Sequence, residues 1–210
     1  MARHLDSKCK LCRRAGEKLF LKGDRCFSPK CAMTRRPYAP GVHGQNPSRN
    51  KSEFGRQLAM KQKIKRIYGV LERQFRHHFE ESQERQGATG DLLMERLERR
   101  LDNVVYRLGF APSRSLARQL VGHKYFTVNG KRMNISSYEV QVGDVVALKG
   151  SKTSKGIIKA QEEILKNKKD VPHWLTLDAV KLEGKVVALP SKSDVGVFVD
   201  AQAVVEYYSK

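Results

Sequence analysis

The sequence predicts an α+β protein: a metal-bound N-terminal segment, a small helical domain, and a region in which two helices pack on a small sheet. Three observations lead there. All four cysteines lie within the first 31 residues, in a stretch dense in Lys and Arg. Apolar residues recur at helical spacing through the segment from Glu53 to Glu98. From Arg99 onward, two more amphipathic helices are followed by β-formers arranged around an Asn-Gly turn.

Composition narrows the partner class before any motif is read. The 210 residues carry 41 Lys and Arg against 22 Asp and Glu, a net charge of +19. Self-repulsion at that charge is unfavourable unless a polyanion neutralises it, so nucleic acid or an anionic membrane surface is the expected partner. No stretch approaches the roughly 20 apolar residues of a membrane span, and "MARHLDSKCK" lacks the apolar core of a signal peptide, so a cytosolic, non-membrane protein is expected. The charge is also concentrated. Residues 1–66 hold 18 Lys/Arg and 4 Asp/Glu, a net of +14, whereas residues 67–210 have a net of only +5. A basic run is ordinarily a solvated face or a tail. Here it coincides with cysteines, aromatics and helical pattern, which favours nucleic-acid binding.

Cys9, Cys12, Cys26 and Cys31 form a C-x₂-C-x₁₃-C-x₄-C pattern. Two close pairs separated by a loop allow four thiolates to converge on one ion, the spacing of structural zinc. An iron–sulfur cluster on the same four cysteines is the alternative. Disulfides are disfavoured in a reducing cytosol, and four sulfurs leave no open coordination position for catalysis. The neighbouring cations Lys8, Lys10, Arg13, Arg14, Arg25 and Lys30 favour thiolates. Few large apolar residues occupy 1–45, so metal ligation is expected to supply the order that a core would otherwise provide.

The elements that follow can be justified in turn. "TRRPYAPGVHGQNPSRNKS" is rich in Pro and Gly and reads as an extended linker. Phe54, Leu58, Met60, Ile64 and Ile67 mark a helix that Gly69 ends, with basic residues between them. A second helix runs through Val70, Leu71, Phe75 and Phe79, and Asp91 is expected to cap a third carrying Leu92, Leu93, Met94 and Leu97. In "RRLDNVVYRLGF", Leu101, Val104, Val105 and Leu108 form the inward stripe, with Arg100, Asn103 and Arg107 on other faces and Gly109 as the stop. Ser113 caps the next helix, on which Arg114 and Arg118 share an exposed face. "YFTVNGKRM" is a hairpin whose Asn129-Gly130 turn requires positive φ. "VQVGDVVALKG" is expected to add strands on both sides of Gly143-Asp144. Tyr106, Tyr125 and Phe126 are read mainly as packing residues.

At "RRLDNVVYRLGFAPSRSLARQLVGHKYFTVNGKRMNI" the chain resembles the S-four RNA-binding domain family, with the Ser-Arg-x-x-Ala-Arg pattern standing as "SRSLAR" at Ser113–Arg118. "RRPYAPGVHGQ", "KQKIKRIYGVLERQFRHHF" and "VVEYYSK" extend the resemblance along essentially the whole chain, toward the bacterial small-ribosomal-subunit S-four family in its zinc-containing form. The resemblance implies three parts: a four-cysteine segment at 1–45, a helical domain at 46–98 to which 198–210 return, and an inserted α/β S-four domain with following strands at 99–197. It implies direct binding to small-subunit rRNA early in assembly. It also implies a ribosome-bound, cytoplasmic location beside ribosomal proteins S three and S five, near the channel through which mRNA enters, with an effect on translational fidelity. The cations expected to meet RNA are Arg13, Arg14, Lys22, Arg25, Lys30, Arg35 and Arg36 around the cysteines, and Arg49 and Lys51 in the linker. Arg56, Lys61, Lys63, Lys65 and Arg66 follow on the first long helix. Arg100, Arg107, Arg114, Arg118, His123, Lys124, Lys131 and Arg132 complete the set in the S-four region. Residues 150–197 carry no assigned functional residue.

Two other functions compete. An RNA-modifying enzyme is suggested by "RLD" at Arg100–Asp102, which superficially resembles the segment carrying the catalytic aspartate of pseudouridine synthases. It continues as an amphipathic helix with no catalytic domain attached, so Asp102 reads as a helix-surface charge. No phosphate-binding loop, zinc-protease or serine-hydrolase motif is present, and the chain reads as a non-enzyme. A zinc-dependent DNA-binding regulator would need a repeated metal unit or a recognition-helix motif, and neither follows the single four-cysteine unit.

Overall fold

The computed structural model describes residues 6–46, 50–150, 156, 161, 165, 170–195 and 200–209. The chain divides into two compact units, 1–93 with 197–210, and 94–196. Among the described residues, no helix is long and apolar enough to cross a membrane.

The first unit opens with α1 (Lys8–Ala15), closed by Gly16 in the left-handed conformation at φ 79°. A 3₁₀ turn at Gly23–Cys26 and the one-turn helix α2 (Ala32–Arg35) follow. The proline-rich stretch is less open than its composition predicts. Val42–Gln45 form another 3₁₀ turn, and Arg13 donates from Nε to the Tyr38 carbonyl at 2.8 Å and from Nη2 to the Ala39 carbonyl at 3.1 Å. Pro47 and Arg49 lie outside the described residues.

Helix α3 (Glu53–Tyr68) begins where the Ser52 hydroxyl accepts from the Gly55 N–H at 3.2 Å, and it ends at Gly69 with φ 64°. Next come α4 (Glu72–Gln83), which leaves Val70 and Leu71 ahead of its first turn, and α5 (Thr89–Glu98). Asp91 is not the cap expected of it. Its own N–H bonds the Ala88 carbonyl inside the first turn of α5, where its carboxylate still complements the helix dipole. Ile64, Ile67, Tyr68, Phe75, Phe79 and Leu93 are buried. The C-terminal helix, named α8 here (Ala201–Tyr208), packs along α3 and buries Val204. Tyr208 stacks on Phe79 with ring centroids 4.6 Å apart.

In the second unit, α6 (Leu101–Leu108) and α7 (Arg114–Gly122) pack on a five-stranded antiparallel sheet. Its strands are β1 (Phe126–Val128), β2 (Lys131–Met133), β3 (Val145–Leu148), β4 (Leu175–Asp178) and β5 (Glu183–Val186), in the order β2-β1-β3-β5-β4. The hairpin register pairs Phe126 with Met133 and Val128 with Lys131. Asn129 and Gly130 both have positive φ, as the right-handed twist of the strands demands of a two-residue turn. Asn129 also reaches outside its turn, accepting from the Val145 N–H at 2.9 Å and donating to Asp144 at 2.7 Å.

Only one of the strands expected around Gly143 forms. The side leading into the turn makes a single bridge, Glu139 with Arg100, because its neighbours bond the start of α6 instead. The place beside β3 is taken by β5. Leu101, Val104, Val105, Leu108, Phe110, Phe126, Val146 and Trp174 are fully buried. Gly184 on β5 is where α6 meets the sheet, and a Cβ there would overlap the Leu108 side chain.

Candidate nucleic-acid interface and cysteine cluster

Cys9 and Cys12 stand one turn apart on α1, Cys26 ends the 3₁₀ turn, and Cys31 precedes α2. All four line one small cavity of about 20 Å³ together with Lys8, Leu21, Lys22, Arg25, Ala32 and Met33. Cys12, Cys26 and Cys31 are buried, Cys9 is half-buried, and none is in a disulfide. The Lys22 N–H donates to the Cys26 sulfur at 3.3 Å, an interaction that strengthens when the sulfur is anionic. Burial raises the pKa of the Cys12 thiol, a backbone hydrogen bond at Leu19 offsets part of this, and Cys26, Cys9 and Cys31 push it further up. Four sulfurs lining one cavity, with a backbone donor to one of them, supply the donor set of a closed four-thiolate site, although no three of them lie within 4.8 Å of one another.

Around this cluster, Arg14, Lys22, Arg25, Lys30, Arg35 and Arg36 are exposed, as are Lys51 and Arg56 further along. Arg13 is not outward-facing as expected. Beyond its two carbonyl bonds, its guanidinium lies 4.7 Å from the centre of the Tyr38 ring. It fastens the proline-rich segment to α1.

The cations of α3 divide by face. Lys61 is buried and meets Glu72 at 2.6 Å, Lys65 meets the other oxygen of Glu72 at 2.8 Å, and buried Lys63 meets Glu17 at 2.9 Å. Lys61 and Lys63 were expected at the RNA surface. They sit instead under the helix, where an unpaired ammonium would be costly and an acid accordingly stands opposite each. Burial would raise the Glu72 pKa, but hydrogen bonds from Lys61, Lys65 and Tyr208 outweigh it and hold the group at about 2. Lys61 also lies 4.3 Å from the centre of the Tyr207 ring. Arg66 is half-buried, and burial followed by the nearby Arg14 guanidinium lowers its pKa.

In the second unit the arginines rest on two buried acids. Glu98, fully buried, receives Arg107 through Nε at 2.9 Å and Nη2 at 2.7 Å, while Arg107 also donates to the Val195 carbonyl. Glu98 accepts from the Asn103 amide at 2.7 Å, and Asn103 accepts in turn from Arg114 Nε at 2.7 Å. Arg114 covers the Tyr106 ring at 4.5 Å. Asp102, 2% exposed, takes Arg100 Nη2 at 3.1 Å and Arg118 Nε at 2.8 Å. Three expectations are corrected here. Arg100 is 1% exposed and therefore no surface contact, Asn103 is buried, and Asp102 is an internal anchor rather than a surface charge. Arg107, Arg114 and Arg118 are half-buried and held in fixed directions, rather than standing on an open helix face.

His123 and Lys124 at the end of α7, and Lys131 and Arg132 on β2, are exposed. Phe126 is in the core, and Tyr106 and Tyr125 pack against it, in line with their reading as packing residues. Glu98, Glu72 and Glu17 went unrecognised in the sequence, because each works through a partner whose position only the fold supplies.

Comparison with known proteins agrees with this architecture. Residues 3–98 match the family described as ribosomal protein S4/S9 N-terminal domain, and residues 99–146 match the S4 domain. The chain is 52% identical over 210 residues to small ribosomal subunit protein uS4 of Ruminiclostridium cellulolyticum. It is 54% identical over 211 residues to uS4A of Alkaliphilus oremlandii, and 50% identical over 210 residues to uS4 of Thermus thermophilus. In all three cases the match spans the full length of both chains. An S4 domain behind an S4/S9 N-terminal domain, with a match along the full length of each of these relatives, leaves one conclusion: the chain belongs to the uS4 family of small-ribosomal-subunit proteins.

Proposed function

We propose that this chain is a structural, non-enzymatic constituent of the small ribosomal subunit that binds its rRNA directly. The observation that carries the reading is the row of arginines held over Glu98 and Asp102 within the S4 domain, an RNA-binding domain. Glu98 and Asp102 fix the directions of Arg107 and Arg118 directly, and Glu98 fixes that of Arg114 through Asn103. Little side-chain entropy then remains to be lost when a phosphate backbone docks. Exposed His123, Lys124, Lys131 and Arg132 extend the positive surface onto the hairpin side of the same unit.

In this reading the four cysteines hold a zinc ion, or an iron–sulfur cluster, that keeps the basic N-terminal segment in one shape. Early binding during subunit assembly, a position beside ribosomal proteins S three and S five near the mRNA channel, an influence on decoding accuracy, and a ribosome-bound cytoplasmic location belong to the same proposal. They rest on family membership. Binding to small-subunit rRNA and to duplex DNA at matched salt tests the core of it. Preference for the rRNA is expected, and equal affinity for both would overturn the assignment.

A further inference from the structure

A groove of about 910 Å³ runs along α3 in the first unit, between the end of α1 and α8. Its charges are unevenly satisfied. Glu17 is held by Lys63, Glu53 and Glu206 both accept from Gln57, and Asp200 accepts from the Ala203 N–H at the start of α8. Every carboxylate that lines the groove therefore has a named donor. Arg14 and Arg66 line the same groove, and among the described residues neither guanidinium makes a hydrogen bond or ion pair. They stand close enough to act on each other, and Arg66 is half-buried. Two guanidiniums that act on each other, with no carboxylate among the described residues bonded to either, are unfavourable in the free protein.

The position along the helix matters as much as the charge. Gln57, where Glu53 and Glu206 converge, precedes Arg66 by nine residues, about 13 Å along the axis. Glu53 and Glu206 converge at one end of the groove, and Arg14 and Arg66 line it toward the other, where the acid present, Glu17, is engaged by Lys63. We propose that Arg14 and Arg66 together grip a single backbone phosphate of the rRNA. The proposal rests on the reading of this chain as an rRNA-binding protein, and it names a contact point within that role. A phosphodiester supplies the missing negative charge and accepts from two guanidinium forks at once. Arg14 lies two residues beyond Cys12 and Arg66 lies on α3, so one phosphate ties the cysteine-bearing segment to the long helix.

The test uses the full chain and a small-subunit rRNA transcript, with affinity measured at several salt concentrations for the wild type, Arg14→Ala, Arg66→Ala and the double variant. Each single change is expected to weaken binding roughly tenfold. The double variant should be scarcely weaker than either single one, because both arginines serve the same phosphate. Because the remaining guanidinium still neutralises that phosphate in each single variant, the slope of log affinity against log salt should flatten by about 0.9 in the double variant and by less in the single ones. Losses that multiply to about a hundredfold, with twice that slope change, would mean two separate phosphates and overturn the bridge. Unchanged affinity and slope in a folded double variant would overturn the site itself. Arg66→Gln replaces Arg66→Ala if circular dichroism shows the latter unfolded.

Inorganic phosphate should also raise the melting temperature of the wild type and not of the double variant. If it does so while rRNA affinity is the same in every variant, the groove holds a free anion and the RNA assignment is wrong. If the wild type shows no preference for rRNA over duplex DNA, the functional reading fails, and this proposal fails with it. If that preference holds while the arginine variants bind like wild type, only this proposal fails.

Discussion

Residues 6–46 concentrate positive charge, residues 94–195 intersperse theirs with acids, and the two regions present their cations in opposite ways. In the second unit, Arg100, Arg107, Arg114 and Arg118 lean directly or through Asn103 on two buried acids, above a core that includes Leu101, Val105, Phe126 and Trp174. In the N-terminal segment, Arg14, Lys22, Arg25, Lys30, Arg35 and Arg36 stand exposed around four cysteines, with Leu19 the main buried apolar side chain apart from the sulfurs. Pairing with acids fixes the direction of an arginine but cancels part of the field it offers a polyanion. Ligation by sulfur can stiffen a segment while leaving its cations uncancelled. The first arrangement suits a defined set of contacts, and the second a strong, long-ranged attraction.

The sharpest way to break this contrast is to remove a sulfur. Structural zinc contributes roughly 10–16 kcal/mol in small finger peptides, and little else is buried in residues 6–46. The proposed four-thiolate site therefore predicts that Cys26→Ser lowers the metal content of the purified protein and exposes this segment to proteolysis, while hydrogen exchange in α6, α7 and the sheet stays as in the wild type. Elemental analysis with limited proteolysis checks it. A metal-free protein whose N-terminal segment is still protected would show that the sulfurs are not what holds it.

The matching intervention in the second unit is Asp102→Ala. It leaves Arg100 buried without its carboxylate and frees Arg118, and breaking a buried pair this way costs about 3–5 kcal/mol. Denaturant unfolding should show that loss in the transition of the second unit, with metal content unchanged. A cost below about 1 kcal/mol would mean that Asp102 is not an anchor.

How far these features could be read in the sequence follows from the range of the signals involved. The helix stops at Gly69 and Gly109, the cap at Ser113, and the Asn129-Gly130 turn depend on neighbours within a few residues, and local chemistry is visible in a linear string. The cysteine pattern is visible for the same reason. Arg100, Asp102 and Asn103 defeated periodicity, which assigns a polar residue between apolar ones to solvent. Their burial is made tolerable by Arg118, sixteen residues beyond Asp102, and by Glu98 on the preceding helix. Likewise β5 took the place beside β3 from a segment with little motif content, and nothing near Gly143 announced it.

A pH titration probes a third arrangement, the exposed-edge pairing of α3 with α4. Glu72 has its folded pKa lowered to about 2, so it binds its proton less readily in the folded protein than in the unfolded chain. Its contribution is then fully present above about pH 4.5 and is lost as the pH falls from there toward 2. Because the Glu72 side chain is 46% exposed, solvent screening reduces the contribution to about 1 kcal/mol. Glu72→Gln should lower stability at neutral pH by that amount and flatten the acid limb over this window. The same acid limb in both proteins would show that the contacts with Lys61, Lys65 and Tyr208 do not persist in solution.

The smallest effect offers the most closely matched comparison. Ser52 and Ser113 do the same work in the two units, each accepting from the backbone N–H three residues on, at 3.2 Å from Gly55 and 3.3 Å from Leu116. Loss of such a cap costs about 1 kcal/mol. Ser52→Ala and Ser113→Ala should therefore destabilise by similar amounts while acting on different parts of the protein. If the units unfold separately, Ser52→Ala lowers only the transition that includes α3 and α8, and Ser113→Ala only that of α7 and the sheet. Hydrogen exchange resolved by segment reads the two independently. Equal loss of protection in both units from either substitution would mean that they unfold as one. The contrast between the acid-anchored arginines of the second unit and the exposed cations around the four cysteines would then describe how each region presents its charge, and not how each one fails.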